Sequence, residues 1–288
     1  MPTLIDFRRR IRSVKNTQQI TRAMKFVAAA KLRRAQENAL AARPYARQLT
    51  RVLQSAFRRI ENPHHALLER REERRILAVV LSGDKGLCGA FNTNVLRMSI
   101  EFRDDHTGQD LQILAVGKRG RDALRKRKFH LAGEYVNVLS RVDRRLWQEI
   151  THKAVEMYST GEVDAVYAIF NEFRSVLVQR MTVQRILPLA SETLSGAEAD
   201  GTPVDYIYEQ PAADLLSKLL LRYVETQVAR AVLESVAAEH AARMTAMDSA
   251  TRNAKELIEK LTLHMNKVRQ AAITREIIEV VSGAASTA

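Results

Sequence analysis

Residues 212–282, AADLLSKLLLRYVETQVARAVLESVAAEHAARMTAMDSATRNAKELIEKLTLHMNKVRQAAITREIIEVVS, contain neither glycine nor proline. Read as one helix, these 71 residues would reach about 105 Å at 1.5 Å per residue. No compact domain of a 288-residue chain encloses a helix that long, so it must protrude or pair with another helix. Its apolar spacing favours pairing. Leu257, Leu261, His264, Val268, Ala271, Arg275 and Ile278 alternate steps of four and three, the seam of a coiled coil with two polar interruptions. On this reading His264 is a polar core residue that pins the register.

A partner for that helix lies at the other end of the chain. From Thr3 to Arg43 there is again neither glycine nor proline. Leu4, Phe7, Ile11 and Val14 keep the same spacing, and Ile20, Met24 and Val27 continue it after a shift of register. Alanines at 28–30 and at 237, 238, 241 and 242 would let two helix axes approach closely. The middle of the chain must bring it back to its start, so the pairing is predicted to be antiparallel.

Ten of the eleven glycines fall between Gly83 and Gly201, and there the period changes. ILAVVL (76–81), LQILAV (111–116), VDAVYAIF (163–170) and MTVQRIL (181–187) read as strands, with helical stretches near 92–103, 119–126 and 144–158. Alternation of strands and helices predicts a mostly parallel sheet with helical cover. The expected fold is a long antiparallel coiled coil of N- and C-terminal helices plus a central Rossmann-like α/β domain. Its parts are residues 1–60, 61–211 and 212–288, with 191–211 as a linker into the last helix.

The loop SGDKGLCGAFN (82–92) is the feature most like a binding site. A strand runs into Gly83-x-x-Gly86-x-x-Gly89 and then a helix, the setting in which glycine-rich loops hold phosphates. The spacing matches neither a dinucleotide fingerprint nor a Walker loop, and Lys85 falls inside the turn. The simpler reading is a structural turn whose glycines take positive φ. Cys88, the single cysteine, has no histidine near it in sequence and reads as a small buried packing residue. The seven histidines lack metal-ligand spacing. No catalytic constellation, cofactor site or metal site is expected.

The net charge of +13 sits in one segment: residues 1–75 carry 19 Lys/Arg and 6 Asp/Glu, leaving 27 of each sign in the rest. Such a face calls for an acidic partner: nucleic acid, anionic lipid or an acidic protein surface. Few aromatics interleave the basic helix, which weakens the nucleic-acid reading. A nucleotide-binding enzyme centred on Lys85 is a further reading. With one cysteine there is no internal disulfide, and no stretch of about 20 residues is apolar enough to span a bilayer. The N-terminus lacks the apolar stretch of a signal sequence.

Three segments settle the choice of partner. IRSVKNTQQITRAMKFVAAAKLRRAQ (11–36), the loop at 82–92, and ARMTAMDSATRNAKELIEKLTLHMNKVRQAAITREIIEVVSGA (242–284) resemble, in order, the corresponding parts of the ATP synthase gamma-subunit family. Met265 stands where that family usually has tyrosine, and Ala90 where a further glycine is common. The resemblance implies a rotating shaft with no catalytic site or cofactor of its own. Its partners would be the alpha and beta subunits, an epsilon subunit and a membrane c-subunit ring, with neither nucleic acid nor a second copy of the chain. By the same resemblance Met24 and Lys25 would lie near beta-subunit levers, and Arg269 and Gln270 would hydrogen-bond a beta-subunit catch loop. The expected place is the cytoplasmic face of a bacterial plasma membrane, reached through the complex.

Overall fold

The computed structural model describes residues 3–58, 60, 64–139, 143–190 and 212–287; the expected linker at 191–211 lies outside them. Helix α1 (Leu4–Arg58) opens the chain. Strands and helices then alternate as β1 (Arg75–Leu81), α2 (Phe91–Asp105), β2 (Asp110–Val116), α3 (Lys118–Lys126), β3 (His130–Tyr135), α4 (Arg144–Ser159), β4 (Ala165–Phe173) and β5 (Gln179–Leu187). Helix α5 (Ala212–Thr287) closes it, running through Gly283. The chain forms two compact units, residues 1–28 with 244–288, and residues 29–243.

The second unit holds a five-stranded sheet ordered β3-β2-β1-β4-β5. The first four strands are parallel neighbours and β5 is antiparallel to β4. Alternate side chains of β1 serve two cores, as the pleat requires. Leu77, Val79 and Leu81 pack with Ile150 and Met157 of α4 and with Leu220, Val224 and Val228 of α5. Ile76, Ala78 and Val80 pack with Val95 and Phe102 of α2 and Leu124 of α3. A parallel strand buried on both faces reads as an unbroken apolar run, which is why ILAVVL was legible. The edge strand β3, HLAGEY, is not among the strands expected from sequence. It is only half-buried and carries a glycine and two polar residues, so it lacks both signatures.

Helix α3 ends in a Schellman turn: Phe129 N–H donates to the Leu124 carbonyl at 3.2 Å and Lys128 N–H to that of Arg125 at 3.1 Å. Lys128 therefore occupies the left-handed position, at φ 60°, where glycine is the least strained residue. Lys128→Gly is expected to raise stability by about 0.5–1 kcal/mol, to be read from the urea midpoint.

In the first unit the helices pair antiparallel. Phe7 meets His264 with ring centroids 5.0 Å apart, the Thr21 and Thr251 hydroxyls lie 2.9 Å apart, and Lys25 Nζ is 2.6 Å from Asp248 Oδ1. The seam differs from the one the sequence spacing predicts. On α5 the covered residues are Met247, Thr251, Ala254, Ile258, Leu261, Met265, Val268 and Ala272, while Leu257, His264, Ala271, Arg275 and Ile278 are exposed. The covered residues of α5 on this seam are uncharged, whereas the predicted stripe admitted His264 and Arg275. His264 thus lies against Phe7 at the flank and does not pin a core register. On α1 the covered face runs without a shift through Leu4, Phe7, Ile11, Val14, Gln18, Thr21, Lys25 and Ala28. Ile20 and Val27 point to solvent, Ile20 with 60% of its surface exposed. The apparent shift came from assuming that the seam must be apolar. Its middle is instead polar and satisfied across the pair by Thr251 and Asp248.

Candidate functional site

In an open parallel sheet, ligands bind outside the carboxyl ends of the strands where the strand order reverses. Here that point lies between β1 and β4, beneath the loop 82–92. The loop is tied down by its own polar groups. Gly83 N–H donates to Asn92 Oδ1 at 2.9 Å, and Ser82 Oγ accepts from Gly120 N–H at 2.9 Å. The Asp84 carboxylate accepts from the backbone N–H of Lys118, Asn137 and Leu139 at 2.8–3.0 Å, tying the ends of β2 and β3 to the loop.

The three glycines play unequal parts. Gly89 takes φ 57° as the turn reading requires. Gly83 and Gly86 do not adopt positive φ; the left-handed residue between them and Gly89 is Leu87, at φ 62°. At Gly83 the close neighbour is a side chain: a Cβ there would come within 2.9 Å of Glu239 Oε1 from α5. At Gly86 a Cβ would meet the Arg119 guanidinium at an ordinary 3.5 Å. Cys88 is buried beside Phe91 and Ala238, and burial pushes its thiol up from the usual range, the opposite of an activated nucleophile.

Helix α5 fills the crevice. Arg243 Nη2 sits 2.6 Å from Glu239 Oε1 and 3.3 Å from the Gly86 carbonyl oxygen. Burial raises the Glu239 carboxyl above its ordinary range, with Arg243 working against that rise. The neighbouring His240 is pushed down to about 4, first by burial and then by Arg243. The Glu239–Arg243 pair thus stands against the loop at Gly83 and Gly86, its two charges meeting one another. Glu239 and Arg243 escaped the reading of the sequence, although their spacing of four on a helix marks them as a pair.

Among the described residues no group of three His, Cys, Asp or Glu is placed to hold a metal ion, and no helix is long and apolar enough to cross a membrane. The four residues carried over as contacts fall in the first unit. Met24 and Lys25 are half-buried, with Lys25 held by Asp248, a partner the sequence did not reveal. Arg269 and Gln270 are exposed. Asp248 and Gln270 are 22 residues apart on one helix, about 33 Å at 1.5 Å per residue. The two pairs are therefore far apart along the helices.

A family model described as ATP synthase matches residues 3–287. The ATP synthase gamma chain of Solibacter usitatus is 53% identical, covering 99% of both chains. Among solved structures, a chain of the Euglena gracilis mitochondrial ATP synthase (OSCP, F1 and c-ring) is similar with TM-score 0.70 at 19% identity, over 99% of this chain and 94% of that one. A chain of the Tetrahymena thermophila mitochondrial ATP synthase central stalk and c-ring gives TM-score 0.62 at 24% identity, over 80% of this chain and 99% of the other. None of these matches favours the nucleic-acid alternative.

Proposed function

The chain belongs to the ATP synthase gamma family, and from that premise we propose that it is the central rotor shaft of an F-type ATP synthase. Its working parts are a shaft helix at 1–60, a middle domain at 61–211 and a second shaft helix at 212–288. The shaft turns inside a hexamer of alpha and beta subunits, and the middle domain joins it to an epsilon subunit and a membrane ring of c-subunits. Ion flow through the membrane turns the ring and the shaft, and the turning shaft drives the beta subunits through the conformations that make and release ATP. The chain is non-catalytic; ATP, phosphate and magnesium bind its partners. It is peripheral, on the cytoplasmic face of the plasma membrane.

The observation that carries this reading is the last stretch of α5. Ile273, Ile277, Ile278, Val280 and Val281 are all exposed, Val280 with 71% of its surface in solvent. These bare apolar side chains share nearly half of the helix circumference, on the side away from the seam, and call for an apolar surface to turn against. Apolar contacts are non-directional, so a surface of them lets a helix turn without a fixed set of hydrogen bonds to break. The basic face of α1 complements this, since an attraction between charges can be shared among three equivalent acidic surfaces. The filled crevice at Glu239 supports the absence of nucleotide chemistry in this chain.

The carried-over contact at Gln270 gives the test. Gln270→Leu in the assembled complex is expected to lower ATP turnover about tenfold, as losing one hydrogen bond of about 1.5 kcal/mol in the rate-limiting state would do. The circular dichroism of the isolated chain should stay unchanged, because Gln270 is exposed. Equilibrium dialysis of the isolated chain against ATP should show no tight binding. Unaltered turnover would remove Gln270 from the rotation path, and tight ATP binding would remove the shaft reading itself.

A further inference from the structure

A cavity of about 780 Å³ opens where α1, the first turn of α4, the end of β4 and α5 come together. Its volume lies within the range of small-molecule sites. The wall is mostly apolar and carries three aromatic rings: Tyr45 from α1, Trp147 from α4 and Phe173 from β4, with Leu233 of α5 among them. Leu40 and Tyr45 on the α1 side are exposed, so an apolar molecule could enter without displacing the core.

Charge decides what kind of molecule fits. Four charged side chains line the cavity, and three are ion-paired, although Oε2 of Glu234 is buried without a hydrogen-bond partner among the described residues. Arg230 Nε lies 2.8 Å from Glu234 Oε1, with Glu172 3.7 Å from the same guanidinium. Glu225 Oε2 lies 2.6 Å from Arg222 Nη1. The fourth, Arg144 in the first turn of α4, is exposed and has no ion pair among the described residues. It stands three residues from Trp147, one helical turn away on the same face. Among the described residues the cavity therefore offers an apolar, ring-lined interior beside one cation without an ion pair, Arg144. We propose that it is a binding site for a monoanionic amphiphile, a carboxylate on an apolar chain or ring, with the carboxylate on Arg144 and the apolar body between Trp147, Phe173 and Leu233. Guanidinium and carboxylate pair through two parallel hydrogen bonds, which fixes the orientation of such a ligand. An occupant would touch three helices and the sheet at once.

The chain has one tryptophan, and it lines this cavity. The full-length chain is titrated with decanoate, decylamine and decanol, each below its micelle-forming concentration. Decanoate should perturb Trp147 emission saturably and bind at least tenfold more tightly than the other two, the margin of one charge-assisted hydrogen-bonded pair. Arg144→Gln should bring decanoate to the level of decanol, and Ala229→Phe, which fills the cavity, should abolish all three responses. Near-ultraviolet circular dichroism checks that both variants remain folded; Arg144 is exposed, so its replacement has little to disturb. Equal binding of decanoate and decylamine, decanoate affinity unchanged in Arg144→Gln, or no response of Trp147 to any probe would each overturn the proposal. None of these readings depends on rotation or on ATP turnover.

Discussion

Gly117→Ala should destabilise the central domain by about 3 kcal/mol or more, a large fraction of the stability of an ordinary domain. Gly117 joins β2 to α3 with φ 96° and ψ 136°, a conformation open to almost no residue but glycine. A Cβ there would lie 2.1 Å from the Ser82 carbonyl oxygen. That oxygen belongs to backbone already fixed, because Ser82 N–H donates to Val116 and Gly117 N–H to Tyr135, both at 2.8 Å. Neither side can yield without breaking a link between neighbouring strands. Gly108 supplies the control. It also has positive φ, 102°, but nothing lies within 4 Å of its would-be Cβ. Gly108→Ala should therefore carry backbone strain alone, about 1–2 kcal/mol. Urea unfolding of both variants checks the order. Equal losses would show that the clash with Ser82 relaxes cheaply.

The second large effect concerns the pair in the filled crevice. Arg243→Leu is expected to cost about 3–5 kcal/mol near pH 8, because it leaves the buried Glu239 carboxylate without its partner. The loss should depend on pH, with a definite sign. Burial holds the Glu239 carboxyl above its ordinary value in the native protein. A carboxyl raised in this way binds more protons folded than unfolded, so its contribution to stability falls as pH rises above the unfolded value of about 4. Removing Arg243 takes away the main influence opposing that rise, with Asp84 nearby still favouring the neutral form. The deficit of Arg243→Leu should thus shrink at pH 5, where Glu239 can take up a proton, and widen at pH 8. Adding Glu239→Gln to the same variant should recover much of the loss at pH 8, since a neutral amide replaces the unpaired charge. Urea midpoints at the two pH values decide it. A deficit independent of pH and untouched by Glu239→Gln would mean that the Arg243 stem, and not the charge pair, holds α5 in place.

The seam of the helix pair shows where reading the sequence stops. Leu257 and Ile278 have the chemistry of seam residues and lie in solvent, while Thr21 and Lys25 have the chemistry of surface residues and lie in the seam. Two apolar stripes on α5 fit the same spacing of four and three, displaced from one another and sharing only Leu261 and Val268. Spacing limits the choice to these stripes but cannot pick one, because the choice depends on which face α1 presents. The loop at 82–92 behaves similarly. Its three glycines announce a tight turn, but the side chain that crowds the open side of Gly83 is Glu239, which is 156 residues further along the chain.

From the residues alone came whatever local spacing and backbone freedom control: two long terminal helices, four of the five strands, and the three segments that resemble the gamma family. These are properties of neighbours in the chain, and each residue carries its own part of the signal. Tertiary structure decided the rest: the fifth strand, the true seam, the stopping of the crevice by Glu239 and Arg243, and the cavity beside Arg144. Each of these is a meeting of segments far apart in sequence. A side chain's burial and partners there depend on what the rest of the chain brings to it, and no stretch of sequence records that by itself.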